Sequence, residues 1–257
     1  MTGCEIHSIP GFSDPVSSIS HLLAVPVAVV LGWSLLRRGR GFTQVAFLGV
    51  YVFSCVFLFS MSGVYHLLPR GSDGRLVLER LDHAAIFVLI AGTFTAAHGI
   101  LFTGLARWLP LFLVWAAVAA GITLKTIFFS DIAEWVGLSF YLGLGWIGIF
   151  STIVIWRRHG TAFIKPLVAG GVAYTAGAML EFLSCPSLIP GIVGPHELFH
   201  MFVLVGAGLH YRFLCRVVEQ KEAETGLRAG AAALPAYVSD RQPSSGPQVS
   251  EREPAER

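Results

Sequence analysis

Charge is what this chain has least of. Only 13% of its 257 residues are Asp, Glu, Lys or Arg, while 54% are hydrophobic, and the mean hydropathy is +0.67. That balance excludes an ordinary soluble domain, in which about a quarter of residues are charged. The net charge is only +2 and the basic residues are scattered through loops and tail, so the electrostatic footprint of a nucleic-acid binder is missing. The first sixteen residues hold Glu5 and Asp14 but no Lys or Arg. The first apolar run therefore lacks the positive n-region of a secretory signal and is expected to be a retained span. No internal repeat is visible, which takes support away from a transporter built of inverted halves. The four cysteines show no CxxC spacing.

What the chain has instead is long apolar runs. About 20 residues of helix cross the roughly 30 Å of bilayer hydrocarbon. Seven stretches qualify: 17 to 36, 43 to 67, 83 to 103, 108 to 128, 135 to 155, 164 to 183 and 197 to 216. Lipid offers no partner to backbone N–H and C=O groups, so a spanning segment is a helix or part of a closed barrel. Barrel strands are shorter, about 9 to 11 residues, and alternate in polarity; these runs are apolar all round. The expected fold is an all-α integral membrane protein, a seven-transmembrane helix bundle. Residues 1–16 form an N-terminal segment and 17–216 the bundle. Residues 217–257, rich in Ala, Gly, Pro, Ser and charge, form a tail expected to be disordered because it cannot bury enough apolar surface.

Lys and Arg set the orientation. Odd-numbered crossings end near Arg37, Arg38, Arg40, Arg107, Arg157, Arg158, Lys165, Arg212, Arg216 and Lys221. The other face has Arg70, Arg75 and Arg80, the acidic pair Asp131 and Glu134, and an uncharged loop from Ser184 to Pro195. The more basic face is expected in the cytoplasm, which puts the N-terminus outside the cell (inner) membrane and the C-terminus inside.

Alternating crossings bring the chemistry-bearing residues together. His66 ends the second run, Asp82 precedes the third, and His196 and His200 open the seventh; all fall on the N-terminal face. Positions i and i+4 share one side of a helix, so His196 and His200 can reach one ion with His66, and Ser62 lies one turn before His66. Three imidazoles leave a fourth position open, as in catalytic rather than structural zinc sites. Asp82 could hold or deprotonate a water there, or be the fourth ligand itself; Ser62 could hydrogen-bond to that water or to a substrate oxygen. A lone histidine near a helix end more often sits at the polar interface. Three converging with an aspartate favour a metal site, because ionisable groups in membrane spans are costly and default to function.

The remaining polar residues read more plainly. His21 and His83 share the face of the site and are expected at the interface or supporting the ligands. His98 and His210 are expected to pack or sit at the opposite interface. Lys125 and Glu181 approach the face of the site and are expected to pair across helices or to snorkel. Gly143, Gly145, Gly148, Gly170, Gly171 and Gly177 read as close helix contacts. Cys4 and Cys185 share one face, where a disulfide is allowed if that face is extracytoplasmic.

The strings SGVYHLLPRG, LDHAAIFVLIAGTFTAAHG, GGVAYTAGAMLEF and GPHELFHMFVLVGAGLHY resemble the hemolysin III family, the bacterial relatives of the progestin and adipoQ receptors, over about residues 17 to 216. AGTFTAA stands where the family usually has an AGTYTP-like string. The resemblance implies seven helices, a superfamily that includes alkaline ceramidases, and a zinc ion (Zn2+) on three histidines with a water placed by an aspartate and a serine. Carried over, the ligands are His66, His196 and His200, the acid is Asp82 and the serine is Ser62. The animal receptors of this family place the N-terminus in the cytoplasm, whereas the ceramidases place it outside. The implied reaction is hydrolysis of a lipid amide or ester, possible substrates being ceramide-like membrane lipids, with Asp82 as base. Three rivals stand beside it: a receptor or signalling protein with structural zinc, a cytolysin, and an intramembrane protease, because His196-Glu197-Leu198-Phe199-His200 spells H-E-x-x-H. Against the protease, Glu197 lies about 100° round the helix from His196.

Overall fold

The computed structural model describes residues 6–128 and 134–239, and among them every named element is a helix. They are α1 (Pro15–Arg38), α2 (Gly41–Leu67), α3 (Asp73–Leu101), α4 (Leu105–Ile127), α5 (Glu134–Ile147), α6 (Ile149–His159), α7 (Thr161–Leu183) and α8 (Pro195–Ser239). Helices α5 and α6 together make the fifth span, Trp135–His159, so the described residues contain seven helices long and apolar enough to cross a membrane. The protein is a seven-transmembrane helix bundle.

Local chemistry sets the helix ends. Pro15 opens α1 at its first turn, where no N–H is needed, and Arg37 and Arg38 close it where the helix dipole favours cations. Helix α2 stops just before Leu68-Pro69, the residue ahead of a proline being pushed out of the helical region. Ser72 caps α3 by accepting from the Arg75 N–H. That cap moves the start of α3 ten residues ahead of the expected 83, so Asp82 lies inside the helix instead of before it. At α8, Pro195 takes the first position, and the Glu197 carboxylate reaches back to the Gly194 N–H at 3.0 Å, half of a capping box.

Helix α3 is the centre of the bundle. Of its most apolar 18-residue window 78% is buried, against at most 44% for any other span. Small residues let neighbours approach it: Gly92 faces Ser54 and Gly99 the Phe47 ring, both on α2. The expected close contacts at Gly148, Gly170 and Gly177 are present, against Phe94, His210 and Phe202. Gly143, Gly145 and Gly171 instead face open space; these three do not pack. At Gly148 the fifth span breaks into α5 and α6 through an i to i+3 bond from the Gly148 N–H to the Gly145 carbonyl. His210 donates to the Leu167 carbonyl and His98 bonds Ser151, the packing roles expected of both.

The chain divides into two compact units, Met1–Val218 and Glu219–Arg257. Val217 and Val218 are fully buried, so the bundle extends two residues past the expected boundary at 216. In the second unit helix continues to Ser239, with Lys221 paired to Glu224 at 2.8 Å; of the tail expected to be disordered, residues 240–257 lie outside the described residues. Cys4, half of the expected disulfide, also lies outside them.

A methyl group at Gly170 would overlap the His210 ring and press on the Gly206 carbonyl, whereas one at Gly171 would meet nothing. Gly170→Val is expected to destabilise the bundle by about 1–3 kcal/mol through overpacking, with Gly171→Ala within about 0.5 kcal/mol of wild type. Unfolding of the two variants in detergent measures the difference.

Candidate metal centre

The imidazoles of His66, His196 and His200 converge. His66 sits in the last turn of α2, His196 and His200 in the first two turns of α8. His66 and His200 are buried at 2% exposure. The Nε2 atoms of His66 and His196 are 3.2 Å apart, those of His196 and His200 3.1 Å. All three ligand atoms lie within 4.8 Å of one another, so the triad could hold a metal ion.

The proton positions sharpen the point. His66 Nδ1 is 3.0 Å from Asp14 Oδ2, and His196 Nδ1 is 3.0 Å from Glu181 Oε1. An ionised carboxylate only accepts, so each Nδ1 carries the proton and each Nε2 is left with a lone pair. Two such Nε2 atoms facing each other at 3.2 Å cannot hydrogen-bond as neutral rings; the contact calls for a proton or a cation between them. A proton bridges two nitrogens, but three meet here. Nitrogens each about 2.0–2.1 Å from one tetrahedral ion would stand about 3.3 Å apart, close to the spacing found. Carboxylate-held histidines are also the usual surroundings of metal ligands.

Asp14 is the better buried of the two carboxylates, at 6% exposure. It receives Arg75 at 2.6 Å and Arg70 at 2.8 Å besides His66. Arg75 also donates to the Leu68 carbonyl at 2.8 Å and lies over the Tyr65 ring. Burial alone would raise the Asp14 pKa, but the hydrogen bonds from His66, Arg70 and Arg75 outweigh it and hold the carboxyl far below its ordinary 3.8.

Asp82 and Ser62 stand beside the triad. Both are buried, Ser62 one turn before His66 on α2 and Asp82 in the polar first part of α3. Among the described residues the set of mutually close ligand atoms is the three histidines, without Asp82. His21 packs its ring on His200 with centroids 4.1 Å apart and is 3% exposed, against the ligands as expected. His83 turns back onto the Glu79 carbonyl of its own helix. Glu181 does pair across helices, and its partner is His196 of the triad. Glu197 is 1% exposed and accepts from the Ser17 hydroxyl at 3.1 Å as well as from Gly194; both its oxygens are engaged in holding α1 and the start of α8.

An apolar cavity of about 280 Å³ starts close by. Along α3 its lining begins at Ile86, one turn past Asp82, and reaches His98, a rise of about 18 Å. Phe199, next to His200, and Tyr141 and Tyr174 close other sides.

Sequence reasoning missed Asp14 as a partner of His66. It lies 52 residues away and was read only as an absence of positive charge. The signal available was position: an acid just before the first span, on the face where the histidines gather.

Fold and site together define a seven-span membrane protein with a three-histidine cluster able to take a metal ion. The family model described as haemolysin-III related matches residues 12–211, and the chain belongs to that family. Among its relatives are the Hemolysin-3 of Bacillus cereus, 29% identical over 193 residues, covering 75% of this chain and 84% of that protein. The Hemolysin-3 homolog of Bacillus subtilis (strain 168) is 29% identical over 189 residues, covering 74% and 84%.

The depressed Asp14 pKa has a sign. A carboxyl lowered in the folded state contributes stability that is complete above the unfolded value near 3.8 and is lost as pH falls toward the folded one. The difference in thermal midpoint between wild type and Asp14→Asn is expected to stay constant from about pH 7 to about pH 5 and to shrink below about pH 4. Melting curves of both proteins across that range check it.

Proposed function

We propose that this protein is a zinc-dependent hydrolase of lipid amide or ester bonds, ceramidase-like in its reaction class. The observation that carries the reading is the triad itself: three convergent nitrogens, two with proton positions set by carboxylates, and an acid beside them that is not one of the close ligand set. Three imidazoles favour zinc over harder cations such as magnesium or calcium. Zinc, when bound, lowers the pKa of a water and polarises a carbonyl.

The chain's own residues do the rest. Asp82 holds the water and takes its proton; Ser62, one turn before His66, hydrogen-bonds to that water or to a substrate oxygen. Helix α3 carries the acid and, one turn on, the first lining residue of the apolar cavity. A lipid entering from the bilayer can lay an acyl chain in that cavity with its polar linkage at the triad. By the count of Lys and Arg, the site faces the outside of the cell membrane.

The relatives' printed names point to a second reading, lysis of foreign membranes. A receptor with structural zinc is the third, marked by a ligand-dependent change without turnover. The engagement of both Glu197 oxygens weighs against the H-E-x-x-H protease, whose glutamate must be free to act as base.

The test is elemental analysis of purified protein followed by incubation with a panel of lipid amides and esters, with and without chelator. One zinc per chain and chelator-sensitive release of fatty acid are expected. His200→Ala is expected to lose the metal; Asp82→Asn is expected to keep it and lose at least about 100-fold in turnover, the scale of general-base catalysis. Metal at wild-type stoichiometry in His200→Ala overturns the ligand assignment. Metal without turnover moves the reading to the receptor, loss of turnover in Glu197→Gln but not in Asp82→Asn moves it to the protease, and leakage of dye-loaded vesicles moves it to the cytolysin.

A further inference from the structure

The segment from His7 into the first turn of α1 contributes none of the three ligand nitrogens, yet it is bonded to both elements that do. On the α2 side, the Asp14 N–H donates to the carbonyl of His66 itself at 3.0 Å and the Ser13 N–H to that of Leu67 at 3.4 Å. The Asp14 side chain accepts a hydrogen bond from the His66 Nδ1–H, and Ser18 donates to the Gly63 carbonyl at 2.8 Å. On the α8 side, the His7 N–H donates to the Gly191 carbonyl at 2.8 Å, and its ring lies where a side chain at Gly191 would be. Ser17 donates to Glu197, which follows His196 and also caps α8.

These bonds constrain different things. Asp14 is pinned between two arginines and the imidazole, so its oxygen has a fixed position. The bond fixes both which nitrogen of His66 is protonated and how the ring is turned. Glu197 cannot swing toward the ligands while Ser17 and Gly194 occupy both its oxygens, so the first turn of α8 is held to α1 about 100° round the helix from His196. Between these two fixed ends, nitrogens of two helices face one another at 3.2 Å.

We propose that the segment from His7 to Ser17 is a working part of the metal centre, with Asp14 the positioning residue for His66 and Ser17, through Glu197, the tether of the histidine-bearing turn of α8. It sets the affinity for the metal without touching it. The inference rests on the reading of the triad as a metal centre, and metal affinity, not activity, tests it.

Full-length protein in detergent is titrated with zinc against a competing chelator. Asp14→Ala is expected to bind about 10–100-fold more weakly, the usual scale for losing the acceptor behind a ligand histidine, with helix content unchanged. Asp14→Glu restores part of the loss, and Ser17→Ala loses less than Asp14→Ala. A second measurement needs no variant at Asp14: nitrogen-15 spectra of histidine-labelled apo protein, with His66 assigned from His66→Gln, are expected to show His66 protonated at Nδ1. Wild-type affinity in Asp14→Ala, or His66 protonated at Nε2 in the apo protein, overturns the proposal while leaving the triad as metal site. Failure of the wild type to bind zinc under any condition removes both.

Discussion

Lone pairs meeting inside a membrane bundle are the constraint around which this molecule is arranged. Two imidazole nitrogens whose own protons are committed to carboxylates repel each other, and a third joins them within ligand distance. Nothing apolar relieves that repulsion, and the burial of His66 and His200 removes the water that would screen it. The arrangement holds together because its protons are arranged from outside: Asp14 behind His66, Glu181 behind His196, and two arginines behind Asp14. A site so charged would be costly in hydrocarbon, and its position at helix ends keeps the ionised groups near one membrane face. The same ends supply irregular backbone, and the N–H groups of Ser13 and Asp14 close over the last turn of α2 by donating to the Leu67 and His66 carbonyls.

Much of this was legible in the residues because a membrane reduces the problem to counting crossings. Seven apolar runs fix which helix ends share a face, and His66, Asp82, His196 and His200 then fall together without any knowledge of side-chain geometry. The i, i+4 spacing of His196 and His200 adds the rest. What the pattern could not show was held by contacts distant in sequence and chemically unspecific. Asp14 resembles any acid at a helix start until its oxygen is seen against His66. Glu197 sits inside H-E-x-x-H and invites a catalytic reading, but position N3 of a helix that opens with Gly-Pro is also where a glutamate reaches back to cap, and the structure takes that course. The start of α3 is hidden in the apolar pattern because polar residues from Asp73 to Asp82 precede the run, although Ser72-Asp73 is an ordinary cap. The glycines divide similarly: Gly170 and Gly177 make room for large side chains of α8, whereas Gly171, one residue on, lies on the other side of the helix.

Helix α3 shows how one span couples the polar site to the hydrocarbon. It is the most buried helix, and its capped polar start carries Asp82 into the bundle before its apolar part begins. From Asp82 the same helix continues to Ile86, Ile90 and Phe94, which line the cavity at four-residue intervals. On an α-helix these positions form one stripe. An acid thus stands at the head of an apolar stripe, in a fixed register of about 1.5 Å per residue. Mobility in α3 would blur that register, and its packing against α2 through Gly92 and Gly99 opposes mobility. The rigidity of the central helix and the fixed protons of the triad are thus two halves of one arrangement, the first setting where Asp82 stands against the cavity and the second which nitrogens face one another.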